Sequence, residues 1–273
     1  MVKERINSIL DRALKKNRTL AKIIRKKKVR KLAIIAIMML PQPLRKMLFS
    51  GRERYCPLCQ NELRIFFSFG LVPRPNAWCP VCSSLERHRL AWITLQQKTN
   101  LFGSSPKSLL HIGPERVIED KLKKLGHINY LSADLYEPRA MVKMDITSIQ
   151  YPDNTFDMIW CSHVLEHIPG DRRAMRELHR VLKPEGFAML MVPMTVEKTF
   201  EDPSITSPAE RERLFGQNDH VRRYGPDFKD RLEESGFNVR VFTAAEVVDE
   251  NNIIRLGVQN KRAAVHICKK SKG

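Results

Sequence analysis

The chain predicts an α/β fold. A doubly wound sheet of seven strands, its last strand antiparallel, follows a small cysteine module and a basic helical extension. Three observations carry this expectation. Strand-like and helix-like stretches alternate from residue 106 onward, two Cys-x-x-Cys pairs share one short stretch, and positive charge crowds into the first 54 residues. Alternation of this kind builds a parallel sheet with helices on both faces. The domains expected are an extension over 1–50, a cysteine module over 51–90, and a large domain over 91–273.

In residues 1–50, basic clusters (KKNR, RKKKVRK) alternate with Ile, Leu and Ala. Ile6, Ile9, Leu10, Leu14, Leu20, Ile23 and Ile24 recur at helical spacing. Residues 1–54 hold 17 Lys and Arg against Glu4, Asp11 and Glu53, a balance of +14 out of +18 for all 273 residues. The basic character therefore speaks of docking rather than of the fold. Three readings stand: an amphipathic helix lying through residues 1–40 on an anionic membrane surface, a basic arm gripping RNA, or a solvated extension. The run LAIIAIMML (32–40) is well short of the roughly 20 residues that cross a bilayer, and no small-residue cleavage site follows it. PQP (41–43) ends whatever helix precedes it.

Residues 51–90 carry Cys56 and Cys59 in CPLC, and Cys79 and Cys82 in CPVC, with 19 residues between the pairs. That spacing is one at which four thiolates close a tetrahedral structural zinc site, leaving no open position for chemistry. Tyr55, Phe66, Phe67 and Trp78 are expected to pack around it. His88 in LERHRL is a substitute ligand only if a cysteine fails, and Arg87 and Arg89 open a helix leading on. Cys161 and Cys268 lie alone in apolar stretches that read as buried strands. Six cysteines in this pattern suit a reducing compartment rather than a disulfide scaffold.

The large domain reads as strands at 108–112, 128–134, 141–145, 156–162, 186–193, 237–242 and 263–269, with helices at 115–126, 171–183 and 226–235. Open α/β sheets bind ligands beyond the carboxyl ends of strands, where strand order reverses. In LLHIGPE (109–115), Gly113 stands where backbone would approach a ligand. Asp134, 21 residues on, stands where an acid takes a ribose hydroxyl pair. Asp145 and Ile146, after the third strand, offer an acceptor for an exocyclic amine beside an apolar wall for adenine. Singly, each has an ordinary explanation, since a glycine after a strand is a turn residue and a strand-end Asp caps a helix. In register, they point to a nucleoside.

LLHIGPE, NYLSADL, VKMDITSIQYPDNTFDMIWCSHVLEHI and RELHRVLKPEGFAMLMVP together make residues 106–192 resemble a class I S-adenosylmethionine-dependent methyltransferase of the small-molecule (type 11) kind, with a Rossmann-like fold. The resemblance implies that Gly113 lines the methionine and ribose side of S-adenosylmethionine, Asp134 binds the ribose hydroxyls, and Asp145 and Ile146 frame the adenine. It also implies that Ser162 and His163 face the methyl group and the acceptor. The first loop departs from the family, with His111 in place of an acid and Glu115 in place of the second glycine. Glu115 either meets the cofactor's ammonium or caps the following helix. The cysteine module, LERHRL and the stretch EDPSIT…ERLFGQNDHVRRYG resemble a bacterial subgroup of envelope and glycan-modifying methyltransferases.

Methyl transfer from a sulfonium is an in-line displacement, and a base matters only if the acceptor is a hydroxyl. His163 is the first candidate base and His220 the second, while His167 packs or caps and His111 is a buried strand histidine. Residues 195–225 stand where an acceptor lid would lie, with Arg222 and Arg223 beside Tyr224 either holding an anionic or sugar-bearing acceptor or sitting solvated in a surface loop. The acceptor expected is a small molecule or a sugar- or lipid-linked glycan. The alternatives are an RNA methyltransferase, opposed by the near charge balance of the large domain, and a non-catalytic binding protein on the same fold. The location expected is cytoplasmic, peripheral on the inner face of the membrane.

Overall fold

The computed structural model describes residues 34–70 and 73–270. The stretch 1–33, on which most of the basic-arm expectation rests, lies outside them. The chain forms two compact units. One ends at Glu86 and takes in Ile254–Gly257, and the other comprises Arg87–Ile253 and Val258–Gly273.

In the first unit residues 34–39 are helical, and Pro41 stands at the N-cap of a second helix, Gln42–Phe49. Proline is tolerated there because the first N–H groups of a helix lack intrahelical partners anyway. Strands β1 (Ser50–Cys56) and β2 (Asn61–Leu63) form one antiparallel hairpin, and β3 (Phe67–Phe69) and β4 (Arg74–Trp78) form another. Each hairpin delivers one cysteine pair. After the second cysteine of each pair the backbone turns left-handed, at Gln60 (φ 53°) and Ser83 (φ 65°). The N–H groups of these two residues donate to the carbonyls of Cys56 and Cys79, at 2.8 and 2.9 Å. Phe66 and Trp78 are buried as expected, and Phe67 meets Phe49 edge-on at 5.5 Å.

The second unit is built on a seven-stranded sheet of order β12-β13-β9-β8-β5-β6-β7. Its strands are β5 (Lys107–Ile112), β6 (Ile128–Asp134), β7 (Val142–Lys143), β8 (Phe156–Ser162), β9 (Leu182–Met191), β12 (Phe237–Phe242) and β13 (Val265–Lys270). Strands β5 to β9 pair in parallel, and β13 runs antiparallel to both β9 and β12. The expected fold and its antiparallel last strand are both present. β8 is buried along most of its length, as a strand covered on both faces should be. The helix Asp171–Val181 turns Ala174, Met175, Leu178 and Val181 onto the sheet, at spacings of three or four. The lone Cys161 and Cys268 are buried core residues.

Three details differ from expectation. The first crossover helix is only Arg116–Leu122, because Lys124 and Leu125 already make tighter bonds to carbonyls three residues back, well before Gly126. Short helices, Ala244–Val247 and Glu250–Leu256, stand between β12 and β13, where no clear period was legible. The 195–225 segment is ordered by the strands β10 (Phe200–Glu201) and β11 (Arg222–Arg223), which pair antiparallel, and by the helix Pro208–Phe215.

Candidate functional site

Strand order reverses at β5, which has β6 on one side and β8 on the other. Gly113, directly after β5, has φ +61° and donates its N–H to the Ala133 carbonyl at 3.0 Å. A Cβ there would meet Val164 Cγ2 at 2.7 Å and come within 3.9 Å of Asp134 Oδ2. Both conformation and space therefore demand glycine. Asp134, at the end of β6, uses Oδ1 to accept the N–H groups of Tyr136 and Glu137, at 2.7 and 2.8 Å, while Oδ2 faces Gly113. Asp145 is exposed and accepts from the Thr147 N–H and hydroxyl at 2.8 Å. Ile146 is turned into the hydrophobic core, so its backbone, not its side chain, is what it presents outward.

Glu115 occupies the N-cap of the helix Arg116–Leu122, but its side chain makes no capping hydrogen bond. Its Oε1 instead accepts from Arg87 Nη2 at 2.9 Å and pairs with His88 Nε2 at 2.7 Å. Burial opposes its charge, but His88, Arg87 and His163 outweigh that and hold the carboxyl well below the usual range. Its Oε2 is buried with no hydrogen-bond partner among the described residues. The capping role is thus not the one this geometry serves. His88 is engaged here, and the cysteine group consists of the four cysteines alone. His111 is fully buried, pairs with the Tyr130 hydroxyl at 2.9 Å, and is driven by burial down to a pKa of about 4.

Beyond β8, Ser162 is buried with its Oγ unpartnered among the described residues. His163 follows at φ +57°, its N–H donating to the Met191 carbonyl at 2.9 Å and its side chain 29% exposed. Its Nδ1 lies 3.3 Å from Glu166 Oε1. Glu166 is only 1% exposed, and although burial disfavours its charge, the hydrogen bond to His163 lowers its pKa. His167 faces Asp219 at 3.2 Å and meets the buried His220 edge-to-face, ring centroids 4.7 Å apart.

The arginines expected to hold an acceptor are used otherwise. Arg222 is 3% exposed and donates to the carbonyls of Leu165, Ile168 and Pro169 and to Glu201 Oε2. The Tyr224 hydroxyl donates to Asp171 Oδ2 at 2.7 Å, and Arg223 donates to Thr195 Oγ1 at 3.0 Å and to its carbonyl. None of the three is a solvated loop residue or an open anion grip. Arg222 and Tyr224 clamp 195–225 onto the turn after β8, because the carbonyls left free by that short turn need buried donors, while Arg223 ties the segment to itself.

Residues 119–190 match a family model described as a methyltransferase domain. Over that segment the chain is similar to a methyltransferase domain. Among curated relatives, the ubiquinone/menaquinone biosynthesis C-methyltransferase of Pseudoalteromonas translucida is 28% identical over 91 residues, 33% of this chain and 31% of that protein. The demethylmenaquinone methyltransferase of Listeria monocytogenes is 30% identical over 113 residues, 37% of this chain and 47% of that one. The chain thus spans between about a third and a half of the length of these relatives. Among solved structures, an S-adenosylmethionine-dependent methyltransferase from Mesorhizobium loti covers 66% of this chain and 96% of its own, at 16% identity and a TM-score of 0.47. The matched segment contains Asp134, Asp145, Ile146, Ser162 and His163. Gly113 and Glu115 lie before it.

Outside that domain, the Sγ atoms of Cys56 and Cys82 are 3.6 Å apart and those of Cys59 and Cys79 3.9 Å apart, with all four within 4.8 Å of one another. Zinc–sulfur bonds of about 2.3 Å at tetrahedral angles put sulfurs about 3.8 Å apart. No disulfide joins the cysteines of the described residues. Ser84 Oγ, 3.3 Å from both Cys56 and Cys82, stands as an outer partner. Two of the sulfur pairs already stand at the spacing a tetrahedral ion needs.

Proposed function

We propose that the second unit transfers a methyl group from S-adenosylmethionine to a small-molecule or sugar-bearing acceptor. The observation that carries the reading is the Gly113–Glu115–Asp134 constellation at the switch point of the sheet. A glycine whose left-handed backbone and close neighbour disfavour any side chain stands beside a carboxylate with one free oxygen and a buried glutamate with one orphaned oxygen. Buried polar atoms rarely stay unpaired, and the cofactor's ribose hydroxyls and ammonium are donors that Asp134 Oδ2 and Glu115 Oε2 would accept. Arg87 and His88 hold Glu115 in place by occupying its other oxygen. Asp145 stands ready for the adenine amine, with the backbone at Ile146 beside it.

S-adenosylmethionine supplies an electrophilic methyl group on a sulfonium whose leaving sulfur takes the electron pair. His163 stands at the head of β8 as the base for an acceptor hydroxyl: Nδ1 is held by Glu166 Oε1, leaving Nε2 to take the proton as the new bond to the methyl carbon forms. Ser162, with a free buried hydroxyl, orients the acceptor. His220 is too enclosed to be the first proton acceptor. The similarity to quinone-biosynthesis methyltransferases supports a small-molecule acceptor. In the first unit, the cysteine set holds structural zinc. No helix among the described residues is long and apolar enough to cross a membrane. Ile35, Met38 and Met39 are nevertheless exposed on one face of the 34–39 helix, which supports docking of that end on an anionic membrane surface.

The test is calorimetric titration of S-adenosylhomocysteine into the full chain and into Asp134→Ala, paired with labelled methyl transfer into fractionated lysate. Micromolar binding weakened at least about tenfold by the substitution supports the reading. Equal binding by both proteins, or no binding by either, overturns it. Label entering RNA would move the acceptor to the alternative class.

A further inference from the structure

Among the buried orphaned atoms left over when methyl transfer has been assigned its residues are Glu166 Oε2 and His220 Nε2. They belong to one cluster. Glu166, His167 and His220 each offer a ligand atom, and the three atoms all lie within 4.8 Å of one another. Glu166 and His220 are 1% and 6% exposed, so water does not satisfy them freely. Buried polar atoms rarely stay unpaired, and the edge-to-face stacking of the two imidazoles does nothing for either atom. A cation satisfies both.

We propose that Glu166, His167 and His220 bind a divalent transition-metal ion of the zinc type, in a two-histidine, one-carboxylate site with at least one open position. The ligand set is one that zinc takes in catalytic sites, three protein ligands with the fourth place left for water or substrate. Ligand atoms on a tetrahedral zinc lie about 3.4 Å apart, a separation inside the 4.8 Å within which these three atoms all lie. The outer shell is present. Asp219 Oδ2 stands 3.2 Å from His167 Nδ1, the carboxylate–imidazole pairing that orients metal-binding histidines. The Phe215 backbone faces the His220 ring.

The backbone holds these residues together from two distant stretches of chain. The Val221 N–H donates to the Glu166 carbonyl at 3.0 Å, and Arg222 clamps the carbonyls of Leu165, Ile168 and Pro169. Entry is on the side of His167 and Asp219, whose side chains are 32% and 61% exposed. Glu166 spans two functions, with Oε1 on His163 and Oε2 on the ion. The open position therefore lies beside the proposed base, and the ligand it takes is an oxygen donor, a hydroxyl or carboxylate of the acceptor. Coordination lowers the pKa of a bound hydroxyl in the way it lowers that of water, so His163 would take its proton from a more acidic group.

The experiment is titration of Co²⁺ into the full chain prepared with its cysteine cluster filled by zinc, followed by visible absorption and calorimetry. Cobalt on nitrogen and oxygen ligands gives weak d–d bands without the intense thiolate charge-transfer band, so the two sites are told apart. One equivalent of Co²⁺ with that spectrum is expected. His167→Ala and His220→Ala should each weaken it at least about a hundredfold, and Asp219→Asn about tenfold. His167 is partly exposed, so its variant keeps the question answerable if His220→Ala fails to fold, as thermal denaturation will show. No Co²⁺ bound with that spectrum by the wild-type chain, or an equivalent that survives His167→Ala, overturns the site. Metal binding is read without methyl transfer, and S-adenosylhomocysteine binding without added metal, so the failure of either reading leaves the other standing.

Discussion

Replacing Arg222 by leucine separates two roles for the same side chain. If Arg222 gripped an acceptor, the variant would fold normally and turn over poorly. In the structure its guanidinium is 3% exposed and donates to three backbone carbonyls and to Glu201. Leucine leaves those carbonyls buried without donors, while Glu201 keeps Arg231 at 2.8 Å. Breaking a buried pair of this kind costs about 3–5 kcal/mol, a large part of the 5–15 kcal/mol that holds a typical domain together. With a urea m-value of about 2 kcal/mol/M, the midpoint should fall by about 2 M. Tyr224→Phe is the graded control. It removes one hydrogen bond to Asp171, which keeps Arg231 at 3.0 Å, and should cost about 1 kcal/mol. Urea denaturation followed by tryptophan fluorescence measures both. A midpoint for Arg222→Leu within 0.5 M (about 1 kcal/mol) of wild type would refute the clamp. Lost turnover at unchanged stability would return Arg222 to the acceptor.

Gly113→Ala should lower stability by about 1–2 kcal/mol, since φ is +61° and the new methyl meets Val164, and should weaken S-adenosylhomocysteine at least about tenfold. Calorimetry and a melting curve indistinguishable from wild type would remove Gly113 from the site. Acid should destabilise the second unit in a definite window. His111 and His266 are buried neutral, with burial holding both near a pKa of about 4 against 6.5 in the unfolded chain. The unfolded state therefore binds protons first. Stability is full above pH 6.5 and is lost as pH falls toward 4, by about 2 kcal/mol per histidine at pH 5. Urea midpoints that stay flat from pH 7.5 to 5 would contradict this. Chelation of the cysteine cluster should release zinc and turn Cys56, Cys59, Cys79 and Cys82 reactive toward a thiol reagent together. Thiols that already react before chelation would argue against bound metal.

Much of the fold was legible because its determinants are local. The strands 128–134, 156–162 and 237–242 stand at the residues read from their apolar runs, and the spacing of Ala174, Met175, Leu178 and Val181 marks the buried face of their helix. The cysteine pairs were visible because metal geometry constrains spacing along the chain. The helix Pro208–Phe215 and the β10–β11 pairing were not legible, since short elements carry too few residues for a period to rise above composition.

The site divides in the same way. Gly113 and Asp134 could be placed because a strand end and a fixed interval carry the information. Their approach, with Asp134 Oδ2 near the Gly113 Cα, is a product of β5 and β6 pairing in parallel register. Arg87 and His88, which hold Glu115, were missed as partners, because they lie 28 and 27 residues before it and no local pattern links them.

The amino-acid sequence by itself determined the fold class, the cysteine tetrad and the strand-end positions of the proposed cofactor residues. Periodicity, spacing and backbone conformation act between near neighbours in the chain. Only the tertiary structure decided that Arg222 is a clamp rather than a grip, and that Glu166 and His167 stand with His220. Those outcomes depend on which buried carbonyl, carboxylate or imidazole lacks a partner once distant segments have met, and desolvation sets that demand only in the folded chain.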